Sequence, residues 1–150
     1  MSTHRAKVSW ARGEHPFTYE GYSRAHRVTF GGGAAMEASA AAEYRGDAAL
    51  PNPEEALVFA LSSCHMLTFL AIAARKRLAV DAYEDRAEGT LAKDAEGRLA
   101  VTTCVLQPRV RFSPGVAVDA ETLRSMHEQA HRGCFIAQSV KTDVRVALDD

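Results

Sequence analysis

The chain has 150 residues, 47% hydrophobic and 25% charged, which matches one globular domain with enough apolar area for a core and excludes a disordered chain. Eighteen basic residues stand against nineteen acidic ones, for a formal charge of -1. Neither sign forms a long block, which argues against a general nucleic-acid or membrane-surface binder and favours small or apolar partners.

The N-terminus, MSTHRAKVSW, lacks the apolar core of a secretory signal, so a soluble cytoplasmic protein is expected. The stretches KVSWARG and FTYEGYSRAHRVTF alternate well enough for two strands, and Gly31 to Gly33 form a turn into a third, AAMEASAAA. On the second strand Tyr22, Arg24, His26, Val28 and Phe30 share a face, which points Arg24 toward the interior or lets it snorkel from an edge. A buried Arg24 would call for a carboxylate, and Glu54 or Glu55 is the natural supply.

The segment PNPEEALVFALSSCHMLTFLAIAARKR reads as the strongest helix: Asn52 as N-cap, Pro53 in the first helical position, Glu54 and Glu55 in the first turn, and Arg75 to Arg77 at the far end. Leu57, Leu61, Cys64, Thr68 and Ala71 make one stripe, and Val58, Phe59, Phe69, Leu70 and Ile72 make the other faces apolar too, which predicts a central helix covered all round. Two long strands, LAVDAYEDRAEGTLAK and RLAVTTCVLQPRVRF, follow, joined by the turn DAEG. Asp119 caps a second amphipathic helix, AETLRSMHEQAHR, which Gly133 can end in a left-handed conformation. CFIAQS suggests one more helical turn and VKTDVRVAL a half-exposed last strand. With no repeat and no linker, the expectation is a single α+β domain over residues 1–150, with antiparallel sheets around two central helices.

Cysteines stand at positions 64, 104 and 134, an odd number that argues against a structural disulfide framework and leaves reactive thiols open. A cysteine in an apolar helix is mostly protonated at pH 7, so a reactive Cys64 needs a cation nearby. The N-terminal end of the helix dipole is twelve residues away, about 18 Å at 1.5 Å per residue, which leaves arginine as the better choice. Cys104, in an alternating strand with Leu106, reads as core packing. His127 and His131 have the i, i+4 spacing of a metal pair with Cys134 or His65, but no second dense ligand pair exists, and no metal or cofactor is expected. His65 reads as a helix-packing residue or a hydrogen-bond donor behind the site.

NPEEALVFALSSCHMLTFLA together with AHRGCFIAQSV resembles the OsmC/Ohr family, the osmotically induced and organic hydroperoxide resistance proteins. The first stretch resembles the family motif that ends at the peroxidatic cysteine, and the second resembles the segment around the resolving cysteine. The resemblance implies the family's fold, an intertwined homodimer with active sites at the interface, and reduction of organic hydroperoxides to alcohols. It implies Cys64 as nucleophile, Cys134 as resolving thiol, Glu54 as the carboxylate that holds an arginine, and Arg24 as that arginine, with Arg27 and Arg45 as neighbouring competitors. It also implies recycling by an external dithiol or lipoyl-type reductant. The alternative is a non-catalytic relative that binds a small ligand or senses redox state. Glu54 and Cys64 are ten residues apart, about 15 Å on a straight helix, so either the helix breaks near Ser62 or Glu54 arrives from a second chain; the second is favoured.

Overall fold

The computed structural model describes residues 1–148; Asp149 and Asp150, the end of the expected domain, lie outside them. The chain forms two compact units, Met1–Ala56 and a second that begins at Leu57.

The first unit is a three-stranded antiparallel sheet of β1 (Ala6–Ser9), β2 (His26–Phe30) and β3 (Ala35–Ala38), in that order, with Val8, Val28 and Met36 in register. The Gly31 to Gly33 turn between β2 and β3 forms as expected. Phe30 N–H donates to Ala34 C=O at 2.8 Å, and Gly33 takes φ +91°, a backbone that a side chain would oppose. The second predicted strand is much shorter than its alternation suggests, because residues 18–22 are turns and bends closed by local hydrogen bonds from Gly21 and Tyr22 N–H to Thr18 C=O, and residues 23–25 are irregular. Arg24 therefore has no strand face.

Helix α1 (Pro53–Arg75) starts where its caps place it. The Asn52 side chain accepts from Glu55 N–H at 2.8 Å, and the Glu55 carboxylate accepts from Asn52 N–H at 3.1 Å, a reciprocal capping box with Pro53 in the first turn. At the other end Arg77 takes φ 58°, and the N–H groups of Arg77 and Leu78 reach back to Ala74 and Ala73 carbonyls.

In the second unit α1 buries only one line of residues, Leu61, His65, Phe69 and Ala73. Phe59 and Leu67 are 64% and 60% exposed, so the helix is not covered all round within one chain. The helix is long and apolar enough to cross a membrane by length and composition, and most of its apolar window lies outside the core.

Each of the two predicted long strands is two strands. β4 (Val80–Asp85) pairs with β7 (Pro108–Phe112), while β5 (Glu88–Lys93) pairs with β6 (Leu99–Leu106) in a separate sheet. The change of sheet occurs after Asp85, the end of β4 opposite Pro108, whose carboxylate accepts the Gln107 N–H at 2.6 Å and the Ser62 hydroxyl at 2.5 Å. β8 (Asp143–Val146) adds to β6 in parallel, the one parallel pairing among the described strands, with Val144 and Val146 half-buried. Helix α2 (Ala120–Gly133) is capped by Asp119, which accepts from Thr122 N–H at 2.7 Å.

Two apolar clusters result. Phe69 and Ala73 of α1 pack with Met126 and Ala130 of α2 beneath Tyr83, Val110 and Phe112 of the β4–β7 sheet. Leu61 packs with Cys104 and Leu106 of β6, bordered by Val144, Val146 and Ile136. Cys104 is thus a core residue, as its alternation suggests.

Candidate active site

Cys64 lies at the middle of α1, half-buried, and Cys134 is the residue that caps the end of α2, fully buried. The two thiols, 70 positions apart in sequence, are close enough for Cys64 to act on the Cys134 thiol, and neither is in a disulfide. Gly133 makes the approach possible. A Cβ there would stand 3.1 Å from the Thr68 methyl, tighter than ordinary contact, so glycine lets the end of α2 close on α1 beside Cys64. Gly133 is not left-handed, as the sequence suggested; it is the last helical residue, and Cys134 N–H closes the turn onto His131 C=O at 3.3 Å.

The Cys134 thiol is pushed up from its ordinary range, first by burial, against which the Ala137 N–H donates to its sulfur at 3.4 Å; the Cys64 thiol pushes it up further. Cys134 is therefore a protonated thiol at neutral pH. A half-buried thiol beside a fully buried one is the arrangement an intramolecular disulfide needs, with the more accessible member positioned to meet a reagent first. Helix α1 is unbroken through Ser62 and Ser63, so the break that could have brought Glu54 toward Cys64 within one chain does not occur.

The arginine lies in the first unit, in a setting the sequence did not foresee. Arg24 donates to the carbonyls of Tyr22 at 2.6 Å and Tyr19 at 2.5 Å, and its guanidinium lies 3.6 Å from the centre of the Tyr22 ring. Among the described residues no ion pair joins it to Glu54. Arg24 borders a cavity of about 610 Å³ whose other walls include Trp10, Phe17, Tyr22 and His26, an apolar basket with one cation at its rim. Of the two competitors, Arg27 pairs with Glu37 across the strands at 2.6 Å on the surface, and Arg45 faces the Tyr19 ring at 5.6 Å.

Next to the thiols, His65 and His127 form a buried pair, Nε2 to Nδ1 at 3.0 Å. The sequence marked His65 as a packing or supporting residue, which it is, but gave His127 only a metal-binding alternative. Among the described residues no group of three His, Cys, Asp or Glu side chains is placed to hold a metal ion. The signal for the pair was the presence of one histidine on the inner line of each helix, and only the crossing of α1 and α2 reveals that they meet. Phe59, Leu67 and Phe135 are exposed; Phe135, beside Cys134, is 81% exposed.

Among curated protein sequences none matches this chain. An OsmC-like protein of unknown function from Vibrio cholerae has a solved structure that superposes with a TM-score of 0.96 at 45% identity, covering 99% of this chain and 100% of that one. Two more distant structures share the fold. The OsmC organic hydroperoxide resistance protein of Legionella pneumophila has a TM-score of 0.70 at 16% identity, over 100% of this chain and 98% of its own. OhrB of Bacillus subtilis, also an organic hydroperoxide resistance protein, has a TM-score of 0.69 at 17% identity, over 99% and 98%. The family profile described as OsmC-like protein matches residues 46–149, the span that holds both helices and both thiols. With the paired cysteines on two crossing helices and the α+β sheet arrangement around them, the chain belongs to the OsmC-like family.

Proposed function

We propose that this protein is a cytoplasmic thiol peroxidase that reduces organic hydroperoxides to alcohols. The carrying observation is the proximity of the Cys64 and Cys134 thiols. In the proposed cycle the Cys64 thiolate attacks the terminal peroxide oxygen; the O–O bond breaks, the alkoxide takes a proton and leaves as the alcohol, and Cys64 becomes a sulfenic acid. The Cys134 sulfur then displaces the sulfenic hydroxyl, which leaves as water with the Cys134 proton, and a disulfide forms. An external dithiol, of lipoyl type, returns two electrons and two protons. The names of the Legionella and Bacillus proteins, which speak of hydroperoxide resistance, support the same chemistry.

In this reading Arg24 stabilises the thiolate and Glu54 orients Arg24, with the carboxylate supplied by the second chain of a homodimer. The unbroken α1 supports that arrangement, and so does its uncovered apolar side, where Phe59 and Leu67 are exposed, with Phe135 of the Cys134 segment exposed as well. A second chain accounts for that side better than a bilayer does, because the same helix carries Ser62 bonded to Asp85 and His65 bonded to His127.

The engagement of Arg24 by two loop carbonyls favours a second reading, a relative that keeps the thiols but binds a small ligand or senses redox state. Stopped-flow oxidation of the reduced protein by cumene hydroperoxide separates the two. Consumption far faster than by a free thiol, lost in Cys64→Ser, supports the peroxidase; a rate equal to that of free thiol defeats it.

A further inference from the structure

His65 and His127 are 1% and 2% exposed, and their rings lie within 1° of parallel with centroids 5.3 Å apart. With Nε2 and Nδ1 at 3.0 Å, parallel rings at that separation meet edge to edge, so the hydrogen bond runs in the shared plane. The outer nitrogens, His65 Nδ1 and His127 Nε2, have no partner among the described residues. Each ring thus has the other as its one side-chain hydrogen-bond partner among the described residues. Two leucines or phenylalanines would fill this crossing without leaving buried nitrogens unpaired, so packing does not account for the histidines.

Their location does. His65 directly follows Cys64 on α1. His127 is seven residues before Cys134, two helical turns along the same side of α2. The His127 ring also stacks on Phe69 of α1 at 4.3 Å, so a single residue of α2 is gripped by two of α1. Because the hydrogen bond is directional where apolar contact is not, it sets how α2 is rotated and advanced against α1.

We propose that His65 and His127 are positioning residues for the thiol pair: their hydrogen bond sets the register of α1 against α2 in which the Cys64 and Cys134 sulfurs meet. The inference rests on Cys64 and Cys134 forming a disulfide, and not on which oxidant drives it. The charged groups that act on the pair are His131 on α2, whose Nδ1 is also buried without a partner among the described residues, and Asp85 on β4. Burial lowers both imidazoles to about 4, with the charge of His131 acting in the same direction on His65 and Asp85 opposing it. Both rings are therefore neutral at pH 7, one donating and one accepting, which is the state the bond requires.

The test is a redox titration of the full-length protein against a dithiol buffer at pH 7, with the Cys64–Cys134 linked peptide quantified by mass spectrometry. His127→Phe keeps a planar ring and removes the hydrogen bond. His127→Asn places an amide where Nδ1 stood and keeps it. The disulfide equilibrium constant should fall tenfold or more in His127→Phe, a shift of about 30 mV for a two-electron couple. It should stay within about threefold of wild type in His127→Asn, a rescue that loss of ring volume alone would not give. An unchanged constant in His127→Phe would overturn the proposal, and so would an Asn variant as impaired as Phe. If His127→Phe does not fold, His65→Phe against His65→Gln makes the same comparison from α1. Peroxide consumption by the wild-type sample is scored separately: its absence would count against the peroxidase reading, while the titration alone decides the positioning role.

Discussion

The buried imidazoles make the stability of this protein acid-sensitive in a window that can be calculated. Each titrates near 6.5 in the unfolded chain and near 4 in the folded one. Since the folded value is the lower of the two, the unfolded chain binds protons first as pH falls. Stability is complete above about pH 7, declines as pH drops through 6.5 toward 4, and levels off below that. At pH 5 the loss is about 2 kcal/mol for each ring, and about 4 kcal/mol is the upper bound for the two together, because they share one bond and titrate jointly. That is a large part of the roughly 5–15 kcal/mol by which a domain is usually stable. The perturbation is the double variant His65→Gln, His127→Asn, which keeps amide groups at the bonded positions and cannot take up a proton. Urea denaturation at pH 7 and pH 5, at one fixed protein concentration because of the proposed dimer, measures the difference. Wild type should lose about 2–4 kcal/mol more than the double variant between the two pH values. Equal losses, within about 1 kcal/mol, would mean that the pair is solvated or already charged at neutrality and would refute the reasoning.

Leu61→Ala, at the fully buried contact of α1 with Cys104 and Leu106, should cost about 2–5 kcal/mol in the same denaturation assay. Leu67→Glu places a charge on the exposed apolar side of α1; it should leave the fold of one chain intact by circular dichroism while light scattering reports a monomer in place of a dimer. Arg24→Met should raise the pH at which the Cys64 thiolate appears in an absorbance titration at 240 nm, and an unchanged titration would transfer that role to another cation.

Much of the helical framework was legible because its signals are local. Asn52, Pro53 and Glu55 define the start of α1, and Asp119 the start of α2, by bonds that span three residues. The same holds for the Gly31 to Gly33 turn. What the sequence hid depends on distant partners. Alternation in residues 78–93 and 98–112 signals extended chain but not where the arms change sheets, beside the Asp85 carboxylate that takes the Gln107 N–H and the Ser62 hydroxyl. Apolar residues on every side of α1 predict a helix covered all round, yet Phe59 and Leu67 are exposed in the single chain. Gly133 was expected to relieve backbone strain and instead supplies space for Thr68. At the site, the cysteines were identified by motif and are found together, whereas Arg24 was read from a strand that begins only at His26.

The most direct measurement is mass spectrometry of the reduced protein after one equivalent of organic hydroperoxide. The account predicts a Cys64–Cys134 linked peptide as the main product, with Cys104 still a free thiol. Cys64 recovered as a sulfinic acid with Cys134 unmodified would contradict it.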